Sequence, residues 1–252
     1  MLKPVVRWMG LVAVVTLMWA ATPARAQDST QNSDTGKELG LYLWLAGIDG
    51  SMGFGRVNDV PVNMTVSDIA KYLDFTMAGY FEYRQPKWIA GTDIFWVKLG
   101  HTRRGHIDGS NVDVDMNFNQ YIGSLGGAYR VKPDFDVWLT GRVYTLKTSQ
   151  TFQGSDLSSR SHTWADIYIG ARYHYNFGER WIAIARADIG TGGSDFAWFG
   201  NAVVGYRFND TFTLGASYRV LSLDRETGSG QDFFKYDITE DGLGIVANFS
   251  LK

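Results

Sequence analysis

Between Ala165 and Phe177 apolar and polar positions alternate. Ala165, Ile167, Ile169, Ala171, Tyr173, Tyr175 and Phe177 share one parity, and Asp166, Tyr168, Gly170, Arg172, His174 and Asn176 share the other. Residues of opposite parity face opposite sides of a strand, so one face here is apolar throughout and the other carries charge and glycine. The split recurs at 75–84, where Phe75, Met77, Gly79, Phe81 and Tyr83 oppose Glu82 and Arg84, and again at 198–208 and 212–220. From Val112 the apolar phase runs to Phe118 and resumes one residue out of step at Tyr121, which predicts a β-bulge near Asn119-Gln120.

Ten such segments can be marked, at 38–49, 75–84, 88–100, 111–131, 135–152, 162–177, 181–189, 196–208, 212–224 and 234–251. Their connections alternate in length. Gln85–Lys87, Lys132–Asp134, Gly178–Arg180 and Asn209–Thr211 are tight turns, whereas 101–110, 153–161, 190–195 and 225–233 read as longer polar loops and 50–74 as the longest. Within that longest connection Val66–Leu73 reads as a short helix, with Ser67 as its cap and Ile69, Ala70 and Leu73 as its apolar stripe, serving either as a lumen plug or lid or as packing on its own loop.

Alternation alone also suits a soluble barrel or sandwich with the apolar parity inward. Three features favour a membrane barrel. The charged parity is dense and balanced, with Glu82, Asp93, Asp113, Asp115, Asp166, Asp188 and Asp237 against Arg84, Arg130, Arg142, Arg172, Arg186, Arg207 and Arg219. Several segments exceed the roughly 5–6 residues of ordinary strands and reach the roughly 9–11 that cross a bilayer. Aromatics gather at strand ends, so that Trp88, Trp181, Tyr206, Phe208, Phe212 and Phe249 are expected to form an interfacial girdle. The fold expected is all-β: a closed antiparallel transmembrane β-barrel of about ten strands (eight or twelve as alternatives), with short periplasmic turns and longer extracellular loops.

The first residues add a destination. Lys3 and Arg7 precede the uncharged run Trp8–Ala21, and Ala24-Arg25-Ala26 follows. This is the layout of a cleaved secretory signal peptide over 1–26. Residues 27–36 then read as a polar periplasmic tether and 37–252 as the barrel. Cleavage would take three basic residues and no acid, moving the formal charge from −2 to −5 and away from a nucleic-acid partner. There is no cysteine to report on the compartment.

Over 37–252 the chain resembles small bacterial outer-membrane β-barrel proteins, closest in style to a largely uncharacterised group. The resemblance rests on LGLYLWLAGIDG from Leu39, VSDIAKYLDF from Val66, WADIYIGARYHYNFGERWIAIARADIG from Trp164, SDFAWFGNAVVGYRF from Ser194 and SYRVLSLD from Ser217. It implies the outer membrane of a Gram-negative bacterium, outer-membrane lipid and lipopolysaccharide around the barrel, and assembly by the barrel-assembly machinery. The chain departs from the pattern at its end, Phe249-Ser250-Leu251-Lys252, which lacks the usual terminal phenylalanine.

A barrel this narrow is filled by its own side chains. Glu82, Asp93, Asp113, Asp115, Arg130, Arg142, Asp166, Arg172, His174, Arg186, Asp188, Arg207, Arg219 and Asp237 are therefore expected to form a charge-paired plug. Arg142, Arg172, Arg186, Arg207 and Arg219 would pair with Asp93, Asp166 and Asp188. The function expected is a non-enzymatic structural or surface role, without cofactor or metal. The first alternative is a narrow channel for ions or small solutes. The second is an omptin-like surface enzyme, raised by His101, His106 and His162 near Asp108, Asp113, Asp115 and Asp156, although the omptin motifs are not recognisable and these polar neighbours also suit a solvated surface.

Overall fold

The computed structural model describes residues 35–107, 110–152 and 155–251, without the side chains of 57–58, 101–116 and 150–158. The expected signal peptide, and the tether as far as Asp34, lie outside the described residues. Gly36 already belongs to the first strand.

The elements are β1 (Gly36–Phe54), β2 (Val57–Met64), α1 (Val66–Tyr72), β3 (Leu73–Arg84), β4 (Trp88–Ile107), β5 (Ser110–Lys132), β6 (Phe135–Phe152), β7 (Ser155–Phe177), β8 (Trp181–Gly192), β9 (Phe196–Arg207), β10 (Phe212–Thr227) and β11 (Phe234–Leu251). Neighbours pair antiparallel in sequence order, and β11 closes on β1 from Lys37↔Leu251 to Phe54↔Phe234. Ten strands thus make a closed barrel, with β2 added along the upper part of β1. Closure of β11 on β1 leaves the ten-strand sheet without a terminal strand, as backbone crossing a bilayer requires, and only the added β2 keeps a free edge.

The outer face decides between soluble and membrane barrels. Leu125 is 72% exposed, Leu243 69%, Ile167 66% and Leu139 61%, and each belongs to the apolar parity of its strand. These residues face outward on neighbouring strands as one belt, far beyond the scattered apolar residues of a soluble surface. No helix among the described residues is long and apolar enough to cross a membrane; the strands do the crossing.

Three local expectations are corrected. First, the register of β5 with both β4 and β6 is unbroken through Asn119-Gln120, so there is no bulge there. Phe118, Gln120, Ile122 and Ser124 all face the lumen; the parity holds, and the lumen face itself turns from apolar to polar along the chain. Second, much of 101–110 and 153–161 is strand. β4–β5 and β6–β7 are tall hairpins whose pairing runs on through stretches rich in polar residues and glycine, the composition that read as loop. Third, 50–74 is no simple loop. The chain returns from Phe54 along β1 as β2, forms α1 and then enters β3, which pairs with β1 only at 79–84. The cap of α1 is Thr65, whose hydroxyl accepts from the Asp68 amide while the Asp68 carboxylate accepts from the Thr65 amide. Ser67 lies inside the helix, bonded to the Thr65 hydroxyl at 2.8 Å. Ile69 is buried as expected, Ala70 is exposed, and Leu73 starts β3.

The opposite end is built from tight turns. In the β9–β10 turn the Asn209 carboxamide oxygen accepts from the Thr211 and Phe212 amides at 2.9 and 2.8 Å, an Asx arrangement that reverses the chain. Lumen-facing glycines make room for large groups. A Cβ at Gly40 would fall within the Tyr80 ring, and one at Gly170 on the Asp188 carboxylate.

Candidate functional site in the barrel lumen

The lumen has two layers. In the turn half, alternation directs arginines and carboxylates inward from β1, β3, β4, β5, β6, β7, β8 and β10. Arg172 is the hub, 2.5 Å from Glu82 and 3.0 Å from Asp136. Glu82 also holds Arg84 at 3.0 Å, and Arg84 reaches Glu38 at 2.8 Å. Asp136, 1% exposed, gathers Arg172, His174 at 3.2 Å and Arg130 at 3.6 Å. Arg186 lies 3.0 Å from Asp188, with Arg142 more distant at 3.9 Å. Arg219 lies 3.6 Å from Asp93, which also accepts from the Tyr42 hydroxyl at 3.0 Å. Aromatic faces cover the guanidinium groups: Arg142 between Tyr168 and Phe199 at 4.5 and 4.7 Å, and Arg172 and Arg186 over Trp138 at 4.6 and 4.4 Å. Buried charges demand this density of partners, since an unpaired one costs several kcal/mol.

Most of the expected network is therefore brought together, namely Glu82, Asp93, Arg130, Arg142, Arg172, His174, Arg186, Asp188 and Arg219. Asp166 is buried in the same lumen but does another job. It accepts from the Ser194 amide and hydroxyl, both at 2.7 Å, and so fixes the β8–β9 connection rather than neutralising an arginine. Asp237 is exposed: on β11 the even residues Tyr236, Ile238 and Glu240 are buried, which turns Asp237 outward. Arg207 is half-buried at the turn-end rim and joins no ion pair among the described residues. The side chains of Asp113, Asp115, His101, His106, Asp108 and Asp156 lie outside the described residues. His162 does not sit as a solvated surface group but stacks on Phe234, with ring centres 3.9 Å apart.

Sequence reasoning passed over Glu38, Asp136 and the tyrosines. Asp136 carried a signal, because it shares parity with Trp138, Thr140 and Arg142 on β6. Tyr42 and Trp44 carried none: in LYLWL both parities are apolar, so their inward face could not be told from the lipid face.

In the hairpin half the same inward parity is aromatic and aliphatic. Trp44, Phe95, Ile122, Tyr144, Leu146, Trp164, Tyr168, Phe199, Leu221, Leu223, Phe234, Tyr236 and Ile238 form one buried cluster across the barrel. Trp44 meets Phe95 edge-on at 5.3 Å, and Tyr144 stacks on Trp164 at 5.3 Å. Several of its polar atoms pair internally, though the Trp44 indole N–H does not. The Tyr144 and Tyr168 hydroxyls are 2.5 Å apart, and Glu240 accepts from Gln120 at 2.5 Å and from Tyr236 at 3.2 Å.

Outside, the girdle residues form a ribbon at the turn end. Phe177, Trp181, Tyr206, Phe208, Phe212 and Phe249 follow one another with ring centres 5.0–6.0 Å apart, while Trp88 pairs with Tyr83 at 5.6 Å. Among the described residues no group of His, Asp or Glu is arranged to hold a metal ion.

No family model and no curated protein sequence matches the chain. Similar solved structures exist. The outer membrane protease OmpT from Escherichia coli is 9% identical with a TM-score of 0.48, covering 89% of this chain and 99% of that one. Ail, the attachment invasion locus protein of Yersinia pestis, crystallised with the heparin analogue sucrose octasulfate, is 11% identical with a TM-score of 0.39, covering 86% and 99%. The NanC porin is 13% identical with a TM-score of 0.36, covering 84% and 100%.

Proposed function

We propose that this chain is a sealed outer-membrane barrel of a Gram-negative bacterium, exported by a cleaved signal peptide, with a non-enzymatic role carried by its hairpins beyond the membrane. The observation that carries the reading is the aromatic layer. A barrel of about ten strands leaves little space beyond its own side chains, and here the hairpin half is packed with Trp44, Phe95, Tyr144, Trp164, Tyr168 and Phe199, each 6% exposed or less. Above this seal, β6 and β7 continue past the outward apolar residues Val143 and Ala165 into paired, polar strand. From Val143 to the end of β6 that is roughly 30 Å at about 3.3 Å per residue. Outward Thr145 and Thr163, bonded at 3.0 Å, and outward Lys147 suit contact with lipopolysaccharide headgroups or external macromolecules rather than with acyl chains.

Purified protein in planar bilayers tests this. The sealed barrel gives no stepwise conductance, and Trp44→Ala with Phe199→Ala introduces it. Regular openings in the unaltered protein would replace this reading with the narrow channel. Hydrolysis of a peptide or lipid substrate, lost in His106→Ala or Asp113→Ala, would replace it with the surface enzyme.

A further inference from the structure

The charge layer encloses a cavity of about 130 Å³ whose donors outnumber its acceptors. It is comparable to the engineered cavity of about 150 Å³ that takes a benzene molecule, so it holds a ligand of several heavy atoms. Three buried donors belonging to its lining lack an acceptor: the indole N–H of Trp44, the indole N–H of Trp138 and the Nε–H of Arg219. Trp44 is 5% exposed and Trp138 3%, and the Arg219 side chain is 12% exposed. Arg142 bonds Ser124 at 3.1 Å and the Tyr144 and Tyr168 hydroxyls, yet stands 3.9 Å from its nearest carboxylate, so it brings a positive charge that no close carboxylate neutralises. A buried donor left unmade costs roughly 1–3 kcal/mol. Three around one space describe a pocket shaped for something that only accepts.

The wall also gives direction. Glu38, Glu82 and Asp93 line the cavity, each beside an arginine, whereas Asp136 and Asp188, which pair with Arg172 and Arg186, are absent from the lining, so the wall carries five arginines against three carboxylates. On the hairpin side lie Trp44 and Phe199, 5% exposed each. On the turn side lie Glu38 and Arg84, whose side chains are 12% and 20% exposed. With Trp44 and Phe199 buried on the hairpin side, the way into this cup from solvent runs through the Arg84–Glu38 pair at the turn end. An apolar guest would leave the donors unmet, and a cation would meet arginines. We propose that this cup binds a small oxyanion, of the size of phosphate, sulfate or a short carboxylate, entering from the turn end and held by Arg219, Arg142 and the Trp44 and Trp138 indoles.

The test is thermal unfolding of the folded, heat-modifiable barrel in detergent, titrated with inorganic phosphate, sulfate or acetate against chloride at matched ionic strength. A ligand that binds only the folded state raises the unfolding temperature with the logarithm of its concentration. The proposal expects that rise for at least one oxyanion and not for chloride. Trp138→Phe and Trp44→Phe keep a ring and remove one N–H each, and each should weaken the apparent affinity about tenfold or more, as loss of a hydrogen bond to an anion does. Arg219→Gln should abolish the shift if it folds; the two phenylalanine variants decide the matter if it does not. Trp181→Phe on the outer girdle should leave the affinity unchanged. Equal behaviour of chloride and every oxyanion, or an undiminished shift in both Trp138→Phe and Trp44→Phe, would overturn the site and leave only water or a general salt effect. Conductance decides the seal and this titration decides the site, so the two readings can fail separately.

Discussion

On β6, Asp136, Trp138, Thr140 and Arg142 face the lumen in the turn half, and Tyr144 and Leu146 face it in the hairpin half. On β7, His174 and Arg172 in the turn half give way to Tyr168 and then Trp164. The same parity of the same strands thus fills one half with ion pairs and the other with rings. The halves answer different requirements. Ring packing is the sum of many small contacts and tolerates volume-conserving exchange at modest loss. Buried charge is all-or-none, because a pair that gains little when complete becomes a liability when one member is removed. The turn half should therefore behave as a coupled unit, and the hairpin half as a sum of contacts.

The sharpest contrast comes from Asp136→Ala. It takes a shared carboxylate from Arg172, Arg130 and His174 at once and should cost about 3–5 kcal/mol, read from unfolding in detergent. Next comes the wall between lumen and lipid. Ile169→Arg places a guanidinium on the outer face of β7, where Ile169 is 58% exposed, and should cost about 2–4 kcal/mol at mid-bilayer. If Ile169→Arg inserts as well as the unaltered chain, the two faces are assigned backwards. In the hairpin half, Tyr144→Phe removes a hydroxyl bond without a charge and should cost only about 0.5–1.5 kcal/mol. A loss as large as that of Asp136→Ala would erase the distinction between the halves.

The smallest effect lies outside the membrane. Lys235 donates to Asp59 at 2.5 Å, joining the β1–β2 hairpin to β11. Hydrogen bonding to Lys235 and then Ser51 holds the Asp59 carboxyl below its usual range, and the bond to Asp59 raises Lys235 above its own. For the depressed acid the contribution is present above the unfolded carboxylate pKa and lost as pH falls through the folded one. For the raised base it is present below the unfolded lysine pKa and lost as pH rises through the folded one. Protection of the Val60 and Val62 amides, taken relative to the intrinsic exchange rate at each pH, should be greatest between those limits and fall slightly on either side. Asp59 is exposed and Lys235 half-buried at the surface, so added salt should flatten the profile.

Much of this was legible in the sequence, and the failures share a cause. Strand number, the closed barrel and most of the arginine network follow from parity, which needs only one polar and one apolar face. Parity is silent where both faces have the same character. In LYLWL both are apolar, so Tyr42 and Trp44 were hidden; around Asn119-Gln120 the lumen face changes chemistry and imitates a bulge; above 101 and 153 the chain is rich in polar residues and glycine, and strand imitates loop. Asp237 went astray because a polar residue beyond the membrane faces water whichever way it points. Asp166 was placed inside correctly, but its partner Ser194 belongs to a loop that no periodicity describes.

The coupling claim is tested most directly by a double-mutant cycle on Asp136 and Arg172, using Asp136→Leu, Arg172→Met and the pair together, with unfolding followed in detergent. A buried pair with shared partners predicts that each single change is strongly destabilising and that the double recovers about 2–3 kcal/mol of their sum. Losses that add to within about 0.5 kcal/mol would mean that water already separates the two groups, and would contradict a turn half held together by its own buried charges.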